Sequence, residues 1–367
     1  MKPLLECGCR RMLLEGPTTP AEAALLAVLA PLGRIYGGLM ALRRWVYAQG
    51  LLPQVTPSVP LISVGNLLAG GTGKTPLVSY LVDLLQRHGY RVAVLSRGYG
   101  ASGLRRDSVR LVCAGNGPLL TAEQAGDEPY LLARRHPAAV VVSAPRRSAG
   151  LRCALAQGPI DLVLLDDGFQ HLALRRDLDL VLLDARRPLA TGRVLPAGLL
   201  REAPAALRHA DLLLLTRCPL PLPPPLALLP ERPQVRFGQQ LASHMQALAG
   251  ACRPLHDCRE GRVVAFAGIA APEDFFAALR QQGIVPAATL ALADHSRYDR
   301  AQLERIQALA AGADWLLTTE KDAVKLRATD FDRPCYAVPL ELVCYDEALL
   351  AAPLLTLAEA GRHPTGC

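Results

Sequence analysis

The chain has 367 residues, of which 51% are apolar and 5% aromatic, and its net charge at neutral pH is +7. This composition excludes a disordered polymer and is sufficient for one large or two smaller α/β domains. The modest basic surplus suits an anionic partner such as a phosphate, a nucleotide or an anionic lipid, although a genome that favours arginine and alanine explains it equally well. No dense basic stripe with interleaved aromatic residues occurs, so we expect no nucleic-acid partner.

Ten cysteines are scattered along the chain without a Cys-x-x-Cys pair, and no histidine lies at zinc-finger spacing. A structural zinc site is therefore not expected. Because nothing before the first domain resembles a secretory cleavage site, we interpret the cysteines as reduced thiols of a cytoplasmic protein.

The N-terminal region is predicted to contain an irregular tail at 1–22 and an amphipathic, membrane-associated helical segment at 23–50. Its apolar run at 23–33 is broken by Pro31 and is too short to span a bilayer. Basic and aromatic side chains follow the run, as is typical of a helix that lies in a membrane surface. A plain helix packed on the domain explains the same residues, so both interpretations stay open on the sequence pattern alone.

Residues 51–217 are predicted to form an α/β domain, because short apolar runs alternate with turns and helical stretches such as 77–88. Continuous apolar runs of this length are typical of strands that are buried on both faces of a parallel sheet. The predicted strands are 61–64, 92–95, 140–143, 162–165, 180–183 and 212–216.

The proline-rich segment 218–230 is predicted to be a linker, because so many prolines cannot form a core element. Residues 231–367 are then predicted to form a second, smaller α/β domain. Its predicted elements are strands at 263–267 and 315–318 and helices at 274–282 and 300–311.

The most informative stretch is SVGNLLAGGTGKT at 63–75, where an apolar strand leads through glycines into a helix. Glycines let backbone N–H groups face phosphate oxygens, and the helix adds the positive end of its dipole. Lys74 is expected to reach the β- and γ-phosphates of a nucleotide, and the Thr75 hydroxyl to hold Mg²⁺. The loop is a variant, because Leu68 stands where the strict pattern has glycine. The other residues expected to cradle the nucleotide are Ala69, Gly70, Gly71, Thr72 and Gly73.

Two acidic residues, Asp166 and Asp167, end the apolar run at 162–165. In P-loop enzymes a carboxylate at such a strand end supports Mg²⁺. Gln170 and His171 follow them and are suited to orienting phosphate oxygens. Acidic strand ends also occur as plain turn and capping features, so the assignment depends on the phosphate loop that accompanies it.

A second acidic pair, Asp127 and Glu128, offers a carboxylate for the proton of an attacking hydroxyl. Capping of the helix that starts near Pro129 explains this pair equally well, and the spacing does not choose between the two. His295 lies in the string DHSRY at 294–298, and its acidic, basic and aromatic neighbours make it a candidate for the same site.

Taken together, these motifs resemble the tetraacyldisaccharide 4′-kinases of lipid A biosynthesis. The resemblance covers about residues 24–340, and Leu68 agrees with it because this family's loop also lacks the first glycine. The matching strings are SVGN…GGTGKTP at 63–76, LSRGYG at 95–100, GDEP at 126–129, DDGFQH at 166–171, LPAGLLRE at 195–202, AFAGIAAPEDFF at 265–276, DHSRY at 294–298 and TTEKDAVKL at 318–326.

The resemblance implies a P-loop NTPase-like parallel sheet with a second, smaller α/β domain, and ATP bound on residues 68–75. It implies that Asp127 accepts or steers the proton of a sugar hydroxyl, paired with His295, while Lys74 serves the transferred phosphate. Residues implied to support Mg²⁺, directly or through water, are Glu128, Asp166 and Asp167, in addition to the Thr75 hydroxyl of the phosphate loop. Residues implied to contact the sugar or to balance phosphate charge are Arg97, Tyr99, Arg147 and Arg201. Gln170 and His171 are implied to line the phosphate site.

The implied reaction is ATP-dependent phosphorylation of the 4′-hydroxyl of a tetraacylated glucosamine disaccharide 1-phosphate, which gives lipid IVA. The implied partners are ATP, Mg²⁺, this acylated lipid and an anionic membrane surface, with no obligate protein partner. The implied location is the cytoplasmic face of the bacterial inner membrane, in peripheral contact. Two alternatives remain: a membrane-associated P-loop NTPase switch that hydrolyses nucleotide without lipid, and a nucleotide-binding scaffold without turnover.

Overall fold

The structure is a computed structural model that describes residues 11–70, 73–98, 101–103, 105, 107–222, 224, 226–294 and 296–362. Gly71, Thr72, Tyr99 and His295, which the sequence nominates for the site, lie outside these described residues. Within the described ranges the chain forms two β-sheets with helices packed against them.

The strands follow one another in chain order and alternate with helices through most of the chain. They are β1 (Leu61–Asn66), β2 (Val92–Ser96), β3 (Arg110–Ala114), β4 (Val140–Ser143), β5 (Leu162–Asp166), β6 (Leu178–Asp184), β7 (Leu212–Thr216), β8 (Gln234–Leu241), β9 (His244–Ala247), β10 (Cys252–Pro254), β11 (Val263–Ala267), β12 (Ala288–Ala291), β13 (Trp315–Thr319), β14 (Cys335–Val338) and β15 (Leu340–Cys344). The helices are α1 (Pro20–Ala48), α2 (Lys74–Arg87), α3 (Ala122–Ala125), α4 (Asp127–Arg135), α5 (Arg147–Leu155), α6 (Pro272–Gln281), α7 (Arg300–Leu309), α8 (Glu320–Ala323) and α9 (Glu347–Arg362).

The larger sheet has the strand order β15-β8-β7-β6-β1-β5-β2-β4-β3. Neighbouring strands from β8 to β4 run parallel, and the edge strands β15 and β3 are antiparallel to their neighbours. The central strands are buried along their whole length, which explains why they read as unbroken apolar runs. The predicted α/β fold with a P-loop-like parallel sheet is confirmed.

The smaller sheet has the strand order β10-β9-β14-β13-β11-β12. Strands β14, β13, β11 and β12 are parallel, whereas β10 and β9 form an antiparallel edge. Separate apolar clusters cover its two faces, one around Phe276 and Met245 and the other around Phe266 and Phe331. This sheet therefore has its own core.

Sheet membership differs from the predicted division of the chain at 218–230. That segment connects β7 to β8, which are parallel neighbours in the larger sheet, and so it is a crossover within that sheet. The chain then leaves for the smaller sheet and returns through β15 and α9, whose Leu350 and Leu354 are buried in the larger core. The predicted smaller domain at 231–367 consequently includes segments that belong to the larger sheet.

Helix α1 is longer than the predicted apolar run because it continues through Pro31 for 29 residues. The Thr19 side chain accepts a hydrogen bond from the Glu22 backbone N–H and caps its start, with Pro20 in the first turn. Pro31 faces solvent, where a missing N–H is tolerated. By length and composition the whole helix is able to cross a membrane, although the predicted apolar run at 23–33 is too short to do so by itself. Residues 11–15, inside the predicted irregular tail, are also helical.

Helix α1 presents two different faces. One face is buried against the loop at 194–197, and Gly33 and Gly37 allow this close approach, since a Cβ at Gly33 would lie 2.9 Å from the Val194 carbonyl oxygen. The opposite face carries large apolar side chains at spacings of three and four residues, and it is exposed. We call this face the apolar stripe; it consists of Leu25, Val28, Leu32, Ile35, Leu39, Leu42 and Trp45.

Candidate active site

The carboxyl ends of the parallel strands open into a cleft of about 1360 Å³. This is the end of an open α/β sheet at which ligands bind. Residues on the side of the smaller sheet, including Ile269, Phe275 of α6 and Glu320 of α8, form the facing wall. The cleft brings together most of the described residues that the sequence nominates, namely Ala69, Gly70, Gly73, Lys74, Thr75, Arg97, Glu128, Arg147, Asp166, Asp167, Gln170, His171 and Arg201.

The phosphate loop begins with a short β-bridge rather than with a glycine. Leu68 pairs with Leu200, and the Ala69 N–H donates to the Leu199 carbonyl at 2.8 Å. The Leu68 side chain is 6% exposed and belongs to an apolar cluster beneath the loop, which explains why leucine fits at this position. Gly70 and Gly73 have φ values of +118° and +87°, which favour glycine at both positions.

Lys74, the first residue of α2, points its ammonium group toward two acceptors. Its Nζ lies 3.3 Å from an Asp167 carboxylate oxygen and 3.3 Å from the Asn66 Oδ1. The Asn66 Nδ2 in turn donates to the Leu68 carbonyl at 2.7 Å, so this amide links the lysine to the start of the loop. Asn66 ends the SVGN string, but the sequence pattern alone did not predict its role in the site.

The DDGFQH loop at 166–171 lies directly across β1. A Cβ at Gly65 would lie 2.5 Å from the Phe169 Cβ, and one at Gly168 would lie 2.8 Å from the Ser63 hydroxyl oxygen. Asp167 adopts a left-handed conformation with φ of +54°, which turns the chain immediately after β5. The two glycines and this turn place both aspartates at the mouth of the sheet.

Asp166 is a buried carboxyl group, 2% exposed, at the end of β5. Its Oδ2 accepts a hydrogen bond from the Ser96 hydroxyl at 3.1 Å, whereas its Oδ1 has no partner among the described residues. Burial raises the pKa of Asp166 to about 6, and the nearby charge of Glu128 adds to this effect. A buried oxygen without a donor is a suitable ligand for a cation.

The pKa of Asp167 is shifted in the opposite direction. Burial alone would raise the pKa of Asp167, but the charges of Lys74 and Arg201 outweigh it, and the pKa lies below its ordinary value. The Arg201 Nη1 lies 2.8 and 2.9 Å from the two carboxylate oxygens. Asp167 is therefore held as an anion between two cations.

Gln170 and His171 occupy the rest of this loop. The Gln170 side chain donates to the Asn66 carbonyl at 3.0 Å and accepts from Arg201 at 3.4 Å. Burial, together with the charge of Arg147, lowers the pKa of His171 to about 4. His171 is consequently neutral near pH 7 and can serve as a hydrogen-bonding group but not as a cation.

Arg147 is a buried cation at the start of α5. It donates to the Ala144 carbonyl at 2.7 Å and to the Asp166 carbonyl at 3.2 Å, while its Nε has no partner among the described residues. Burial lowers the pKa of Arg147 to about 10, so it remains charged at neutral pH. Like Arg97, it lines the cleft and provides positive charge there.

Asp127 begins α4 and meets the smaller sheet through an ion pair. The Lys325 Nζ lies 3.0 Å from its Oδ2, and Lys321 lies 3.7 Å from Glu128 and 3.4 Å from Asp294. An ion pair between Arg135 and Glu320 joins the same two segments farther along α4. The TTEKDAVKL string at 318–326 therefore contributes charged partners to α4, and the sequence pattern did not predict these contacts.

The described residues contain no group of three or more histidine, cysteine or acidic side chains that could hold a metal ion. A nucleotide-bound Mg²⁺ needs only one or two protein ligands, because phosphates and water supply the others. The unpartnered Asp166 Oδ1 and the neighbouring Thr75 in the same cleft fit that kind of site.

Replacing Asp166 with asparagine is expected to stabilise the protein at neutral pH. Because folding raises the pKa of this carboxyl from 3.8 to about 6, the wild type loses stability as the pH rises through that interval. Above that interval we expect Asp166→Asn to have a free energy of unfolding about 1–3 kcal/mol higher than the wild type, and the gain should vanish at acidic pH. Urea unfolding in the presence of EDTA measures the free energy of unfolding of both proteins.

The matched control is Asp167→Asn. The pKa of Asp167 is lowered in the folded protein, so its contribution to stability is present at neutral pH and disappears as the pH falls. This variant should therefore be less stable than the wild type at neutral pH. The interpretation is wrong if both variants change stability in the same direction.

Comparison with known proteins agrees with this arrangement of motifs. Residues 25–359 match the sequence profile of a family described as Tetraacyldisaccharide-1-P 4′-kinase. A structure of LpxK from Aquifex aeolicus, crystallised in complex with ATP, superposes with a TM-score of 0.75 at 30% sequence identity and covers 91% of this chain and 99% of that chain.

Curated relatives resemble the chain over nearly its whole length. The tetraacyldisaccharide 4′-kinase of Syntrophotalea carbinolica is 47% identical, with 94% of this chain and 96% of the relative covered. That of Geobacter sulfurreducens is 46% identical, with 95% and 98% covered. The chain therefore belongs to the tetraacyldisaccharide-1-phosphate 4′-kinase family.

Proposed function

We propose that this protein is an ATP-dependent kinase that phosphorylates the 4′-hydroxyl of a tetraacylated glucosamine disaccharide 1-phosphate and so forms lipid IVA. The observation that carries the proposal is the convergence of Lys74, Asp166 and Glu128 in one cleft between the two sheets. A relative that was crystallised with ATP and relatives named for this reaction support the same substrates.

In this proposal the triphosphate of ATP lies on residues 68–75, with backbone N–H groups and the start of α2 facing its oxygens. Lys74 contacts the β- and γ-phosphates, and Arg147, Arg97 and Arg201 supply further positive charge around the group in transfer. Phosphoryl transfer depends mainly on positioning and on neutralising charge, so these residues act by holding the phosphates in line.

Mg²⁺ would be held by Asp166 and Thr75, with Asp167 and Glu128 close enough in the cleft to support it through water. The ion would neutralise charge on the β- and γ-phosphates. Asp166 suits this role because one of its oxygens has no donor among the described residues. Asp167 suits the role of orienting Lys74 and Arg201, with which it is already paired.

The hydroxyl of the sugar must lose its proton as its oxygen bonds to the γ-phosphorus. We assign that proton to Asp127, assisted by His295, whose position lies outside the described residues. As the new oxygen–phosphorus bond forms, the bond from the γ-phosphorus to the bridging oxygen breaks and ADP leaves with the electron pair. Among the described residues, Glu128 lines the cleft whereas the adjacent Asp127 does not. The ion pair of Asp127 with Lys325 joins α4 to the smaller sheet's side, so the relative position of the two sheets bears on this part of the site.

The direct test mixes the purified protein with ATP, Mg²⁺ and a monophosphorylated acylated glucosamine disaccharide. We expect a lipid product that is heavier by one phosphate, detected by mass spectrometry. Asp127→Asn should lower kcat by at least about a hundredfold and change the KM for ATP much less, because it removes a proton acceptor and not a nucleotide contact. Asp332→Asn, at an exposed carboxylate, is the matched control and should retain full activity.

The competing functions predict different products. A nucleotide switch would release phosphate at full rate without the lipid, and a scaffold would bind ATP without turnover. Either result, or normal kcat in Asp127→Asn, would overturn this assignment.

Replacing Lys325 with methionine tests the ion pair that reaches Asp127. We expect kcat to fall by about tenfold to a hundredfold, since the carboxylate loses the partner that orients it, while ATP binding is retained. Arg305→Met, which changes an exposed cation on α7, is the control. Unchanged kcat in Lys325→Met would limit this lysine to interdomain packing.

We further propose that the protein contacts an anionic inner-membrane surface from the cytoplasmic side through the apolar stripe of α1. The stripe is exposed and apolar along most of the helix, with Trp45 near its end, as in helices that lie at a membrane surface. The other face, including Gly33 and Arg44, is packed on the protein. A crossing would bring the loop at 194–197, which packs on this face, into the hydrocarbon core, so peripheral contact suits this arrangement better than a crossing.

Changing Val28, Ile35, Leu39 and Leu42 to serine should lower the affinity for vesicles of anionic phospholipid by about a hundredfold or more. Co-sedimentation with these vesicles measures the effect. Val285→Ser, which changes an exposed apolar side chain outside α1, is the control and should bind like the wild type. Undiminished binding of the fourfold variant would remove the stripe from this role.

A further inference from the structure

We propose that a buried ion pair between Arg44 and Glu202 makes α1 a positioning element for the DDGFQH loop, so that phosphoryl transfer requires this helix to be seated on the site. The inference rests on the proposed kinase function and deepens it, because a membrane anchor alone would need no connection to the catalytic cleft.

Arg44 is the charged residue on the packed face of α1, and it is only 8% exposed. Its Nε and Nη2 each lie 2.9 Å from a Glu202 carboxylate oxygen, which is a two-pronged pairing. The Nη2 also donates to the Phe169 carbonyl at 3.2 Å, and the guanidinium carbon lies 4.5 Å from the centre of the Phe169 ring. The Arg44 side chain of α1 therefore contacts the DDGFQH loop twice, through a hydrogen bond to its backbone and through the Phe169 ring.

A second contact continues from the helix to the phosphate loop. The neighbouring Arg43 donates to the Gln170 carbonyl at 3.0 Å, and the Gln170 side chain donates to the Asn66 carbonyl at 3.0 Å. The Asn66 side chain contacts Lys74. A continuous series of hydrogen bonds thus leads from α1 to the lysine of the phosphate loop.

Glu202 provides a second connection between α1 and the site. It follows Arg201, whose side chain holds Asp167 and whose N–H donates to the Leu67 carbonyl at 2.7 Å. Fixing Glu202 from the side of α1 therefore restrains the arginine that orients Asp167. Both routes end at the pair formed by Lys74 and Asp167.

The chemistry of the Arg44–Glu202 pair indicates that it orients the DDGFQH loop and does not merely attach α1 to the protein. Removing two charges from water is costly, and apolar residues of similar size usually hold buried elements together at least as well. What the ion pair adds is a fixed orientation, because the planar guanidinium satisfies the carboxylate and the Phe169 carbonyl at once. Gly33, which rests against Val194, keeps the helix close enough for this geometry.

The experiment measures transfer to the acylated disaccharide in detergent micelles, where attachment to a membrane is not required. The variants are Arg44→Gln and the apolar pair Arg44→Met with Glu202→Leu, and the control is Arg34→Gln at an exposed site on the same helix. We expect both variants to lower kcat about tenfold or more with little change in vesicle co-sedimentation, because a small displacement of catalytic groups slows the reaction strongly. The control should match the wild type.

Thermal unfolding separates positioning from stability. The apolar pair should unfold at a temperature close to that of the wild type and still be slow, whereas a structural role predicts that its kcat recovers together with its stability. Recovery of kcat in that variant, or an Arg44→Gln enzyme within twofold of wild-type kcat, would overturn the inference. Failure of the wild type itself to transfer phosphate would instead reject the proposed function.

Discussion

The candidate site depends on one electrostatic arrangement, in which the Asp167 carboxylate lies between Lys74 and Arg201. These three charged side chains fix the relative positions of the phosphate loop, the DDGFQH loop and the segment at 195–202. Asp167 is the shared anionic partner of both cations, so it keeps Lys74 and Arg201 in place at the cleft and leaves neither charge without a partner. Asp166 lies beside this arrangement, and its Oδ1, which has no partner among the described residues, is the oxygen that we propose as a ligand of Mg²⁺.

The fold was predictable from the sequence where burial alone determines the residue pattern. Strands such as β1, β5 and β7 are covered on both faces, so they appear as unbroken apolar runs. β8 mixes polar and apolar residues and the edge strand β15 is only partly buried, and neither was predicted. Their pairing depends on the chain returning from the smaller sheet, which no local pattern records, and for that reason the division of the chain at 218–230 did not match the sheets.

The site was predictable to the extent that its chemistry is carried by short motifs. Spacing and resemblance nominated Lys74, Asp166 and Arg201, which line one cleft. Contacts between distant segments were not predictable: Lys325 reaches Asp127, and Arg44 pairs with a carboxylate 158 residues away. A motif indicates which side chains take part in the chemistry. The partners that orient them are determined by tertiary packing, and they do not occur at a fixed sequence spacing from the motif.

The spacing of the apolar stripe has a practical consequence for work with the purified protein. Leu25, Val28, Leu32, Ile35 and Leu39 follow the three-and-four alternation that characterises the seam of a two-stranded coiled coil. In dilute buffer without amphiphiles, two copies can cover these side chains by aligning their helices. Dimers or larger particles observed under such conditions would result from burial of the apolar stripe and would not indicate the oligomeric state in a cell. Hydrodynamic measurements therefore need a mild surfactant.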